Sequence, residues 1–267
     1  MVETQTGRRE FLRKAGMVTG GVAALSFGGL TGLAKAGAQG GSGGDTTQDI
    51  VNAALTAEQL ATTFYYYGLL AAQLGQLPNV ENMNNLNYFQ AALWQEYEHA
   101  TIFATVGGKS LAGPKPMFYF PNGVFEKQGL FFHVLDALET AFIGAYIAAI
   151  GEWAGDSPAA VSTVPSGFTA PQLAKIAGQF LGTESEHRAL GRVANNENPP
   201  NNLILERAPY TQVGSPSNTN GTAVGTLLPF VTGGTGFEGP YAMPTKSEVI
   251  NAAAPYVNLI MPGFAAP

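Results

Sequence analysis

Glu96-Tyr97-Glu98-His99 and Glu184-Ser185-Glu186-His187 decide how this chain reads. Each places a histidine three residues after a glutamate, within a stretch of helical periodicity. Residues three apart share one face of a helix, so each motif aims a carboxylate and an imidazole in one direction. A single glutamate, Glu58 and then Glu139, lies in the predicted helix before each motif. The order Glu, then Glu-x-x-His, twice over, is how a four-helix bundle brings four carboxylates and two imidazoles to a pair of metal ions.

The competing explanation is ordinary solvated helix surface, since Glu is a good helix former and one Glu-x-x-His is weak evidence. Glutamate fills 15 of 267 positions, about one in eighteen, yet two of the three histidines have one three residues ahead. Glu139 sits in Ala137-Leu138-Glu139-Thr140-Ala141-Phe142-Ile143, where an unpaired carboxylate would be costly. Glu58 is less telling alone, because Thr56-Ala57-Glu58 also suits an acidic position in a first turn. Four ionised carboxylates in a bundle centre repel one another unless cations or protons compensate, and two divalent ions balance four negatives. Glu58, Glu96, His99, Glu139, Glu184 and His187 are therefore the expected ligands.

Working outward, apolar periodicity predicts helices over about Gln48–Leu74, Asn84–Val106, Glu126–Ala154 and Ala170–Val193. Gly107-Gly108 should end the second. Pro114, Pro116 and Pro121 make Lys109 to Gly123 a break. The third is apolar on all sides, as helices enclosed by others are. This is an all-α reading: a four-helix bundle (48–194) with its longer crossover between the second and third helices. Residues 195–267 are rich in Gly, Pro, Thr and Asn and read as an irregular extension packed on the bundle or on a partner subunit. Only Thr245 to Ala253 looks helical there, capped by Thr245 or Ser247.

Several neighbours of the ligands are set aside. Glu98 and Glu186 should turn away, toward a base such as Arg188 or Arg192 or toward solvent. His133 has no glutamate three before it and reads as a core or interface residue within reach of Asp136. Tyr65-Tyr66-Tyr67 could donate hydrogen bonds to the ligands, although so dense an aromatic run is more often core.

At the N-terminus, Arg8-Arg9-Glu10-Phe11-Leu12-Arg13-Lys14 precedes a Gly/Ala-rich apolar stretch and then Ala34-Lys35-Ala36 and Ala36-Gly37-Ala38. Basic region, apolar region and small-residue exit, with paired arginines, predict a Tat signal over 1–38 and a periplasmic or secreted destination. Residues 39–47 read as a Gly/Ser linker. Removing the signal takes five of 13 basic and two of 19 acidic residues, leaving 8 − 17 = −9. So acidic a chain, without a basic cluster, is a poor partner for nucleic acid or anionic membranes. The glycine-rich signal is also a poor spanning helix, so the mature protein is not expected to cross a membrane. No cysteine is present, which excludes iron–sulfur, thiolate–zinc and thiol-redox chemistry.

Three stretches carry a family likeness: Ile50-Val51-Asn52-Ala53-Ala54-Leu55 running into Glu58 and Phe64-Tyr65; Glu96-Tyr97-Glu98-His99-Ala100; and Glu184-Ser185-Glu186-His187-Arg188-Ala189. Through them the chain, from about Asp49 to Arg192, resembles the ferritin-like superfamily and is similar to exported ferritin-like proteins grouped with plant desiccation-related proteins. The likeness implies a ferritin-like bundle, with the ligand pattern of di-iron and di-manganese members falling on the six residues named above. Ala61 and Thr63 stand where such relatives often have further acidic residues, which lowers the case for extra metal sites. The resemblance implies two Fe or two Mn ions and a small molecule such as O2 or peroxide as partner. Oxidase or peroxidase chemistry under oxidative or desiccation stress is the leading expectation. Manganese-catalase-like peroxide dismutation and a structural stress or envelope protein without turnover are the alternatives. The apolar third helix and the extension would also suit a homo-oligomer.

Overall fold

The computed structural model describes residues 44–258 apart from 166 and 255. The expected signal (1–38) and residues 39–43 of the expected linker lie outside them. Four long helices form the body: α1 (Thr47–Gln73), α3 (Met83–Thr105), α4 (Gln128–Gly151) and α6 (Ala170–Ala194), with a short α2 (Pro78–Glu81) between the first two. Local chemistry fixes their starts. Thr46 and Asp49 close a capping box ahead of α1, and Thr169 and Gln172 do the same for α6, where a proline also occupies the first turn.

α1 packs mainly on α3, and α4 on α6. Two apolar clusters fill the body, and each helix crosses from one to the other. Along α1, Ile50 to Leu55 belong to one cluster and Leu60 to Ala72 to the other; along α3, Phe89 to Leu93 belong to one and Ala100 to Val106 to the other. Glu58, Glu96 and His99 sit at those crossings. The bundle centre is therefore a polar layer between two dry ones. By length and composition α4, with the turn after it, could cross a membrane, but 61% of its apolar window is buried within the protein.

The crossover and the C-terminal region contain more order than the sequence predicts. Within the expected break, Met117–Pro121 forms β1, which pairs antiparallel with β2 (Phe237–Ala242) in the extension. Each strand is an edge, so Pro121 costs no interior ladder bond. α4 ends in a π-helical turn (Glu152–Asp156), followed by α5 (Pro158–Ser162) in the stretch between the third and fourth expected helices. In the extension, α7 (Ala223–Thr232) forms despite Pro229, and α8 (Lys246–Ala253) is capped by Thr245 rather than Ser247. α7 lies against β1, α4 and α1, and α8 against α3.

Two further differences concern the ends of this body. Asp45 and Thr47 fall in the expected linker yet are buried, at 3% and 0% exposure. The reason is pairing: the Asp45 carboxylate accepts from the Gly214 amide at 2.5 Å, and the Thr47 hydroxyl donates to the Ala160 carbonyl at 2.5 Å. The extension also crosses α4 at Gly144, where a Cβ would lie 2.8 Å from a ring carbon of Pro209 and 3.2 Å from Tyr210. Gly144→Ala should therefore destabilise by about 1–2 kcal/mol in urea unfolding, the overlap outweighing the gain in helix propensity. An unchanged or increased stability would show that the extension yields there freely.

Candidate metal centre

The six predicted residues come from all four long helices and meet in the central layer. Each is 3% exposed or less. Glu58 lies well inside α1 rather than in its first turn. The oxygens of Glu96 and Glu184 divide between the two histidines. His99 Nδ1 lies 3.3 Å from Glu184 Oε1 and 3.8 Å from Glu96 Oε2, while His187 Nδ1 lies 3.1 Å from Glu184 Oε2 and 2.8 Å from Glu96 Oε1. Glu58 Oε2 joins the first histidine at 3.3 Å, and Glu139 Oε1 lies 4.0 Å from the second. Two groups of four result, Glu58–Glu96–His99–Glu184 and Glu96–Glu139–Glu184–His187, sharing Glu96 and Glu184.

The donor atoms fit cations better than one another. His99 Nδ1 can donate one hydrogen at most, yet it faces three carboxylate oxygens and forms no hydrogen bond of good geometry with any. Glu58 Oε2, both oxygens of Glu96, Glu139 Oε2 and Glu184 Oε1 are likewise buried without hydrogen-bond partners. Native structures leave few such groups, because each costs about 1–3 kcal/mol or more when charged. Hard oxygens with imidazole suit Fe or Mn, and two shared carboxylates suit a pair of ions. The layer is thus consistent with a dinuclear centre of Fe or Mn type.

Without metal, protons do the compensating. Burial pushes the carboxyls of Glu58 and Glu139 well above the usual range, with Glu96 and Glu184 adding repulsion. Burial opposes a charged imidazole, but the carboxylates prevail and raise both His99 and His187. Glu96, despite its burial, is held low by the imidazoles of His187 and His99 that lie against its two oxygens. Metal binding must displace some of these protons, so ions and protons compete for the layer.

Residues beyond the six orient them. Tyr65, on α1, donates to Glu139 Oε1 at 2.6 Å, and Tyr146, on α4, donates to Glu58 Oε1. Each of these glutamates therefore spends one oxygen on a tyrosine from the other's helix and keeps Oε2 bare. Tyr88 donates to the His187 carbonyl at 2.6 Å and touches the Tyr65 hydroxyl at 3.1 Å. Gln95 Oε1 lies 2.9 Å from His187 Nε2, which places the neutral ring's hydrogen there and turns the Nδ1 lone pair inward. His99 stacks on Phe180, with ring centres 3.8 Å apart.

Tyr65, in an aromatic run that reads chiefly as core, is both core and hydrogen-bonded to Glu139. Tyr66 and Tyr67 are half-buried, Tyr67 packing against Tyr241. Tyr146 and Gln95 are not among the residues the sequence singles out. A signal for Tyr146 exists: Glu58 and Tyr65, like Glu139 and Tyr146, are seven apart, so two glutamates each carry a tyrosine two turns on. Gln95 has no comparable mark. Glu186 is exposed and Glu98 half-buried. The bases considered for them are taken elsewhere, Arg188 by Glu206 at 2.6 Å and Arg192 by Asp136 at 2.5 Å. His133 is exposed on α4, not in the core.

Residues 46–197 match the ferritin-like domain. The chain belongs to that family. The matched span holds the four long helices and all six residues of this ferritin-like centre. No curated protein and no solved structure matches the chain. The extension after residue 197, with β2, α7 and α8, lies beyond the family match.

Proposed function

We propose that this ferritin-like protein holds two Fe or two Mn ions on Glu58, Glu96, His99, Glu139, Glu184 and His187, and that the pair reacts with O2 or peroxide. The observation that carries this reading is the division of Glu96 and Glu184 between the two histidines. Held on these residues, a pair of redox ions would supply the two electrons that reduction of O2 to the peroxide level requires. The chain's own part is to fix the ligands and exclude bulk water. Tyr65 and Tyr146 each donate a hydrogen bond to one oxygen of Glu139 and Glu58, which limits how far those carboxylates can swing. The Arg8-Arg9 signal supports export to the periplasm or beyond, and the likeness to desiccation-related proteins supports a protective role under oxidative or desiccation stress.

A second reading, a stress or envelope protein without turnover, with or without a metal, draws on the near-complete burial of the six residues. Purification from the native compartment without added metal, followed by elemental analysis and turnover assays, separates the two. About two Fe or Mn per chain is expected, with O2 uptake or peroxide consumption that Glu139→Ala abolishes. Peroxide disproportionation without an added reductant would identify catalase-like chemistry. Two ions with no turnover, or less than one redox ion per chain, would defeat the redox reading and leave the structural one.

A further inference from the structure

Beside the metal layer, on its α1/α4 side, lies a partly open apolar pocket of about 50 Å³. Its inner wall is bundle: Ala57, Leu138, Ala145 and Tyr146 among others. Its outer wall is the extension, through Tyr210, Val213, Val224, Leu227 and Phe230. That outer wall follows residue 197, so it lies outside the family match.

Three observations define what the space would take. Its lining is almost wholly hydrocarbon, and the few hydroxyls nearby are engaged: Tyr146 donates to Glu58, and Tyr210 donates to Thr226 at 3.1 Å. Water needs two to four polar partners to stay in a cavity, and apolar cavities remain dry. Hydrogen peroxide is disfavoured for the same reason, since each O–H left unbonded costs about 1–3 kcal/mol. The volume then sets the size. A dry cavity of about 150 Å³ accepts benzene and one water needs only about 10–15 Å³, so this space suits about two to four heavy atoms.

The cavity also adjoins the chemistry. Tyr146 is both a wall of the space and a hydrogen-bond donor to Glu58, and Ala57 and Leu138 are the chain neighbours of Glu58 and Glu139. We propose that this cavity is a docking site for dioxygen, a dry store from which the gas reaches the carboxylate layer past Tyr146. The role rests on the reading above that the centre reacts with an O–O molecule, and within it selects O2 over peroxide as the molecule supplied by this route.

Xenon is the probe. Crystals of the full chain under xenon pressure should show one atom between Ala145, Tyr146 and Leu227. Ala145→Leu, which fills the space, should remove it, and Leu227→Ala, which enlarges the space, should raise its occupancy. In the metal-loaded protein Ala145→Leu should raise KM for O2 several-fold, with metal content and kcat unchanged. Absence of xenon, or ordered water in its place, would overturn the proposal even where two metals and O2 uptake are found, leaving the centre's function intact. Xenon bound in a protein that takes up no O2 would instead overturn the supply role together with the O2 reading of the centre.

Discussion

Glu184→Ala is expected to release both metal ions, whereas Glu58→Ala releases one. The difference follows from how the oxygens are shared. Glu184 puts Oε1 beside His99 and Oε2 beside His187, so its loss opens both four-residue groups. Glu58 belongs only to the group containing His99 and leaves Glu96, Glu139, Glu184 and His187 in place. Losing a hydrogen-bond partner of a ligand already weakens a metal by about 10–100-fold, and losing a ligand common to both ions should exceed that. After equilibrium dialysis, elemental analysis should give near zero redox ions per chain for Glu184→Ala and near one for Glu58→Ala. Circular dichroism of both should remain helical, because each substitution also removes a carboxylate that repels its neighbours in the metal-free layer. Equal losses in the two variants would contradict the sharing.

The second large effect lies outside the metal layer, where the extension is fastened to the bundle. Glu152, in the π-helical turn, is 1% exposed, accepts the Val213 amide at 2.7 Å on Oε1, and has no partner on Oε2. Burial, with Asp45 beside it, pushes its carboxyl up to about 8. The folded protein therefore keeps this proton up to about pH 8, whereas the unfolded chain releases it near the ordinary 4.5. The folded state binds more protons across that window, so stability is full below pH 4.5, falls as pH rises toward 8 and is level above. Asp45 is also raised, chiefly by burial, and adds in the same direction. Glu152→Gln keeps an acceptor for Val213 and supplies a fixed donor toward Asp45. It should gain about 2 kcal/mol at pH 8, or about 4–8 °C in melting temperature, and almost nothing at pH 5. Thermal melts of metal-free wild type and variant at both pH values test this, because the metal layer's own titration is common to both. A gain of the same size at pH 5 and pH 8 would rule out the Glu152 proton as its cause.

Both results depend on features of unequal visibility in the sequence. The four long helices and the six clustered residues were legible because helical spacing ties each Glu to its His three positions on, and because Glu139 stands alone in an apolar run. Tyr146 was legible in principle through its seven-residue spacing from Glu139. The fastening at Glu152 was not, because Asp45 follows a Gly/Ser stretch and its partners Val213 and Gly214 are far along the chain. β1 and β2 were hidden for the same reason: each is a short segment broken by proline, and only the other explains it. α7 was obscured by Pro229, which usually marks an end, although here it falls inside the helix.

The pairing of β1 with β2 also sets an order of events during synthesis. Met117 finds its partner in Ala242, more than a hundred residues later, whereas the α1/α3 and α4/α6 contacts join segments much closer in sequence. Ribosomes add about 5–20 residues each second, so the crossover strand stays unpaired for several seconds after the helices on either side have emerged. During that interval β1 presents an open edge and the aromatic side chains of Phe118 and Phe120, both wholly covered in the finished protein. The bundle can close around its polar layer first, and the crossover is sealed last.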